Sequence, residues 1–161
     1  MSTSSLNAIR NYYRLTDTIG TAGQPEKAQF ADIKEAGFEL IINLAEANSP
    51  HAILNEEELV LSNELTYTHI PVAFDDPTLE KLEQFFDVMD ANRGKNIFVH
   101  CALNMRVSAF MCLYQVIRQR IPLDRALAGL HKVWQPDSTW QAFITAALQK
   151  YPLMDSTSES Q

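Results

Sequence analysis

The chain has 161 residues, 46% of them apolar and 20% charged, with a net charge of −7. That length supplies one hydrophobic core, and the composition is that of an ordinary globular protein. The acidic balance and the lack of a Lys/Arg run argue against a nucleic-acid binder. They also mean that an anionic ligand needs a local positive site, because the overall field repels it.

Met1 to Asn7 is Ser-rich, and Met1 to Tyr13 lacks the apolar core and small-residue cleavage site of a signal peptide. No apolar run approaches the roughly 18 residues of a membrane helix. The reading is a single domain over 1–161, with a core at about 10–152 and flexible ends at 1–8 and 155–161. In chain order, Ile19 to Gly23 reads as a strand and Pro25 to Ala36 as a helix, with Pro25 at its first position, Phe30 and Ile33 as its stripe and Gly37 as its stop. Glu39 to Leu44 reads as a central strand. Ile53 to Leu65 has helical spacing at Leu54, Leu61 and Leu65, and Tyr67 to Val72 reads as a third core strand. Pro77 to Ala91 is the clearest helix, with Leu79, Leu82, Phe85, Phe86 and Met89 on one face. The strand Asn96 to Val99 then leads into a helix from Met105 to about Gln119, and two helices follow near Leu123 to His131 and Asp137 to Gln149.

Alternating strands and helices predict an α/β fold: a mostly parallel central sheet of four to five strands, flanked by helices. Such sheets bind ligands at the C-terminal edge of their strands. Cys101 sits at that edge, and Asp75 and Asp76 follow the end of the third strand, so a cysteine and an aspartate are expected to share one rim.

Only two cysteines occur, Cys101 and Cys112. The helix between them would separate them by about 16 Å, too far for a disulfide. This fits a reducing, cytoplasmic setting with a free thiol. Cys112 reads as a core residue of its helix. Cys101 ends a strand, and the following loop, Ala102-Leu103-Asn104-Met105, opens a helix. Loop N–H groups and a helix N-terminus favour negative charge, and the same field stabilises a thiolate, the reactive form of cysteine. Arg106 carries a planar fork that matches two phosphate oxygens. A cation at a helix start is electrostatically unfavourable, which calls for a compensating anion.

His100-Cys101, a short loop, Arg106 and Ser108 together resemble the signature loop of the cysteine-dependent protein tyrosine and dual-specificity phosphatases, and more closely a bacterial branch of them. The resemblance runs from Ile19 to Phe143 and includes Thr21-Ala22-Gly23-Gln24-Pro25, Glu39 to Leu44 and His69-Ile70-Pro71-Val72. It departs at one point. Four residues separate Cys101 from Arg106 where the phosphatase loop has five, while Ser108 keeps the usual distance. A four-residue gap also resembles the loop of rhodanese-like sulfurtransferases.

The resemblance implies a dual-specificity-phosphatase-like fold and a phosphomonoester hydrolase that works through a phosphocysteine, without metal or cofactor, on a phosphorylated small molecule or phosphoprotein. Cys101 would be the nucleophile. Ala102, Leu103, Asn104, Met105 and Arg106 would bind phosphate. Asn104 stands where the family usually has glycine, and asparagine is the next most tolerant of a left-handed backbone. His100 would orient the cysteine, and Ser108 would stabilise the departing thiolate unless its hydroxyl bonds its own helix. Asp75 or Asp76 would be the general acid. Because Asp76 precedes Pro77 and suits a helix N-cap, Asp75 is the first choice. Trp134, Pro136, Asp137 and Trp140 form a patch with Asp137 at a helix start and the tryptophans as packing anchors. His51, His69 and His131 show no metal-ligand spacing with the cysteines. Two other readings remain, a persulfide-carrying sulfurtransferase and a non-catalytic phosphate-binding pseudophosphatase. No nucleic-acid or membrane partner is expected.

Overall fold

A computed structural model describes residues 5–151. Five strands form one sheet in the order β1-β2-β5-β3-β4. They are β1 (Tyr13–Arg14), β2 (Ile19–Ala22), β3 (Leu40–Asn43), β4 (Thr66–His69) and β5 (Ile97–His100). β2, β5, β3 and β4 pair in parallel, and β1 adds antiparallel to β2. The helices are α1 (Gln29–Glu35), α2 (Glu56–Ser62), α3 (Leu79–Ala91), α4 (Met105–Ile117), α5 (Leu123–His131) and α6 (Ser138–Lys150). The α/β class and the mostly parallel sheet follow the sequence reading, with β1 as the strand that the sequence did not signal.

Side chains alternate along β5 and so divide the core. Ile97, Val99 and Cys101 join the cluster under α3, α4, α5 and α6, while Phe98 joins the cluster with Phe30 and Ile33 of α1 and Val60 of α2. β3 divides the same way, with Leu40 and Ile42 on one face and Ile41 on the other. All four residues of β5 and all four of β3 are buried, as expected for central strands covered on both faces. α4 is buried from Arg106 through Tyr114, so its sequence lacks a polar face because it lies inside the protein.

Four boundaries differ from expectation. α1 begins at Gln29, because Glu26 to Ala28 form a turn closed by the Gln29 amide on the Glu26 carbonyl (2.9 Å). α2 begins only at Glu56, because Asn55 takes a left-handed conformation (φ 62°) that an α-helix cannot contain. The helix then turns Val60 and Glu56 inward and leaves Leu54 88% and Leu61 52% exposed. β4 is an edge strand rather than a core one, although Ile70 and Val72 continue its pairing through amides on the Asn43 and Leu44 carbonyls (both 2.9 Å).

The fourth difference concerns Asp76, which does not cap α3. Its amide closes a turn on Ala73 (3.1 Å), Thr78 is extended, and the Thr78 hydroxyl caps the helix by accepting from Lys81 N (3.2 Å). Asp137 does cap α6, accepting from Trp140 N at 2.9 Å. Of the ends expected to be flexible, 1–4 and 155–161 lie outside the described residues, while Leu6 is buried against the α1 side of the core. No described helix is long and apolar enough to cross a membrane.

Candidate active site

The loop from Cys101 to Met105 leaves the C-terminal end of β5 at the middle of the sheet. Its carbonyls are pinned outward. The Ala102 carbonyl accepts from Gln24 N (3.0 Å), and the Leu103 carbonyl accepts from Asn11 Nδ2 (2.9 Å). The Gln24 contact explains Gly23, because a Cβ there would meet the Ala102 oxygen at 2.4 Å. Asn104 has φ 69° and ψ 4°, the left-handed backbone that its position in the motif suggested. Its Nδ2 donates to the Asn11 carbonyl (2.9 Å) and to Thr21 Oγ1 (3.1 Å). With the carbonyls turned away, the amides of Ala102, Leu103, Met105 and Arg106 donate to no acceptor among the described residues. Unpaired amides at the start of a thirteen-residue helix form a concave anion site.

Arg106 completes that site. It is buried, 5% exposed. Its Nη1 donates to the Val72 carbonyl (2.8 Å), which ties α4 to the segment after β4. Its Nη2 lies 3.5 Å from Ser49 Oγ, and its Nε is without a partner among the described residues. No carboxylate pairs with it among them. Phe74 lies over the guanidinium, 5.9 Å from ring centroid to Cζ. A buried cation without a counter-charge is costly, and an anion bound at the loop would supply that charge.

Cys101 is 1% exposed and lines a cleft of about 220 Å³ together with Pro50, Phe74, Ala102, Leu103, Met105 and Arg106. The walls are mostly apolar, and Arg106 is the one charged residue in the lining. A larger cleft of about 350 Å³ has Glu46, Glu56, Glu57 and Glu58 in its lining, which suits no anion. Cys112 is buried in α4, and burial pushes its thiol up to about 12, so it stays neutral.

Asp75 and Asp76 are both exposed on the turn after β4, and neither lines the cleft. The neighbouring Phe74 does, and its carbonyl accepts from Trp140 Nε1 (2.8 Å). The tryptophan patch thus buttresses the aspartate-bearing turn through the packed rings of Phe74, Trp134 and Trp140. Ser108 Oγ donates to the Met105 carbonyl (3.0 Å), so in this state the hydroxyl bonds its own helix. His100 is fully buried on the face opposite Cys101, edge-on to Phe30. One ring nitrogen, Nδ1, faces the Cys101 carbonyl (3.1 Å) and the other, Nε2, faces Glu56 Oε2 (2.6 Å).

Glu56, Gln24, Asn11 and Ser49 contribute to this arrangement without having been singled out in the sequence. Glu56 opens an acidic run, Glu56-Glu57-Glu58, in which no local feature marks one residue out. Only the Gln24 position carried a signal, as part of the Thr21 to Pro25 motif.

Residues 15–143 match the family model described as DSP-PTPase phosphatase fused to NAD+ kinase. The structure is similar to that of a DUF442 protein from Shewanella putrefaciens CN-32, with 33% identity, a TM-score of 0.83, and coverage of 92% of this chain and 97% of that one. The fold also resembles Tk-PTP in its active form (14% identity, TM-score 0.71, 87% and 97% covered). It resembles Pseudomonas aeruginosa TpbA as well (15% identity, TM-score 0.69, 85% and 84% covered), a protein also solved as a Cys-to-Ser variant in complex with phosphotyrosine. The comparison with curated proteins finds no match. The family match runs from β2 through the loop and α4 into α6, and on that ground the chain belongs to the DSP-PTPase family of dual-specificity and protein-tyrosine phosphatases.

Proposed function

We propose that the chain is a phosphomonoester hydrolase that works through a phosphocysteine intermediate. The observation that carries this reading is Arg106: a buried guanidinium without a carboxylate partner among the described residues, beside a cysteine and a ring of unpaired amides. The loop amides and Arg106 hold the equatorial phosphate oxygens and stabilise the charge that spreads over them in the transition state. Cys101 Sγ attacks phosphorus as a thiolate, and the bond from phosphorus to the ester oxygen breaks. Asp75 gives its proton to that leaving oxygen. Water then attacks the phosphocysteine, Asp75 takes the water's proton, the S–P bond breaks, and inorganic phosphate leaves.

The loop supplies the positive field that a metal ion brings in other phosphatases, so the reading uses neither metal nor cofactor. The apolar cleft walls suit the organic part of an aryl phosphate such as a phosphotyrosine side chain, the ligand with which the TpbA variant was solved. A free nucleophilic thiol works best in a reducing compartment, and this supports a cytoplasmic setting.

Cys101→Ser tests the mechanism. It should abolish hydrolysis of an aryl phosphate, because a serine hydroxyl is not ionised in this field, yet phosphate should still protect the variant against thermal unfolding. Retention of more than a small residue of the activity would rule out the covalent route. The four-residue loop favours a second reading, sulfur transfer through a Cys101 persulfide, and transfer of sulfur from thiosulfate to cyanide is its direct assay. Binding of phosphate without turnover of any ester would instead favour a non-catalytic phosphate binder.

A further inference from the structure

We propose that Glu56 is a positioning residue for the nucleophile loop: it holds His100 as a doubly protonated imidazolium whose charge acts on the loop through the Cys101 carbonyl. The proposal rests on the reading of Cys101 as the nucleophile. Its foundation is a tautomer argument. Both ring nitrogens of His100 face acceptors, the Cys101 carbonyl at Nδ1 (3.1 Å) and a Glu56 carboxylate oxygen at Nε2 (2.6 Å). A neutral ring has one N–H and satisfies one of them, whereas an imidazolium satisfies both.

The carboxylate is held in its charged form. Glu56 Oε1 accepts from Gln24 Nε2 (2.8 Å), and Glu56 itself stands at the first position of α2, where a negative charge is favoured. Burial would raise the Glu56 carboxyl, but the charge and hydrogen bond of His100 and the bond from Gln24 outweigh it and hold the group below its ordinary range. The groups facing the pair are few. Phe30 of α1 lies edge-on to the ring, Gln24 comes from the segment after β2, and Tyr67 and His69 come from β4. Tyr67 is pushed above its ordinary value by burial and by Glu56, so it stays neutral, and His69 is engaged with the Ala45 carbonyl (2.6 Å). Glu46, Glu57 and Glu58 share the lining of the larger cleft with Glu56.

The effect on catalysis runs through one peptide unit. A cation donating to the Cys101 carbonyl draws electron density out of the Cys101–Ala102 peptide. The Ala102 N–H, one of the unpaired loop amides, becomes a stronger donor to an anion. The buried pair, 6% and 0% exposed, thus acts from the α1 face of the sheet on the loop at the end of β5.

Glu56→Gln separates charge from shape. Glutamine accepts and donates from the same place, so Gln24 and a neutral His100 keep their bonds while the ion pair is lost. The pH midpoint of Cys101 alkylation by iodoacetamide, followed by mass spectrometry, should rise by about one unit, and the acid limb of kcat/KM for an aryl phosphate should move with it. An unchanged midpoint in a folded variant would overturn the proposal and leave Glu56 a structural residue. The wild-type protein offers a check that survives a misfolded variant. Nitrogen-15 spectra should show a proton on both His100 ring nitrogens, as two facing acceptors require, and a single unprotonated nitrogen would also overturn it. Neither readout needs turnover. Failure of the hydrolase reading would therefore appear as a shifted midpoint in a protein that cleaves no ester.

Discussion

At the scale of single residues, Arg106 and Asp75 make opposite demands. Arg106 is charged, buried and without a counter-ion among the described residues, so its worth should lie in binding rather than in folding. Arg106→Met should keep the thermal stability of the wild type in anion-free buffer, because it removes an uncompensated buried charge at similar volume. The same variant should lose phosphate protection, which in the wild type reaches about 2.7 kcal/mol at a hundredfold excess over Kd. A thermal scan with and without phosphate checks both parts. Asp75 is exposed and can reach the cleft only through movement of its turn. Asp75→Asn should slow hydrolysis of alkyl phosphates by about 10²- to 10⁴-fold and affect a p-nitrophenyl ester less, since that leaving group hardly needs a proton. Asp76→Asn should leave both rates near wild type. If Asp76 shows the loss that depends on the leaving group, the roles of the two aspartates are reversed.

At the scale of elements, the difference between Asp76 and Thr78 shows how far sequence carries. The rule that an acidic residue before proline starts a helix is sound in isolation, but here the Asp76 amide is used by the turn that carries Asp75 and Phe74. Thr78→Ala should therefore destabilise the protein by about 1 kcal/mol in urea denaturation, as loss of an N-cap does. Asp76→Ala should fall within a few tenths of wild type. The loop itself was legible: Cys101, Arg106 and the left-handed Asn104 are local chemistry, fixed by strand, turn and helix in one stretch of chain. Glu56 was not, because its partner lies 44 residues away, and in a run of three glutamates nothing local marks the one that turns inward. For the same reason Leu54 and Leu61 gave a false stripe, since the left-handed Asn55 shifts the helix start and with it the buried face.

For the whole molecule, the governing fact is a net charge of −7 around a cleft that, on the proposed function, takes an anion. The field that draws a phosphate in is short-ranged, coming from the loop amides and one guanidinium, while the field that repels it is long-ranged. Salt screens the second more than the first, with a Debye length of about 10 Å at 0.1 M. The kcat/KM for a dianionic aryl phosphate should therefore rise as ionic strength goes from about 10 to 100 mM, in the direction opposite to that of enzymes steered by a basic surface. A fall over that range, measured with a non-coordinating salt, would mean that the cleft is locally positive to a greater distance than Arg106 alone supplies.

The way the loop carbonyls are held has a consequence for what counts as the catalytic unit. The Asn11 side chain holds the Leu103 carbonyl, its own carbonyl holds Asn104, and the Arg10 carbonyl accepts from Gly23 N (2.7 Å). Both residues precede Leu15, where the family match begins. The mould that turns the amides inward is thus partly cast from chain outside the segment that the family model matches. Two proteins alike across that whole segment can differ in pocket shape through the few residues before it. A domain excised at the match boundary would carry Cys101 and Arg106 but not the brace that aims the loop around them.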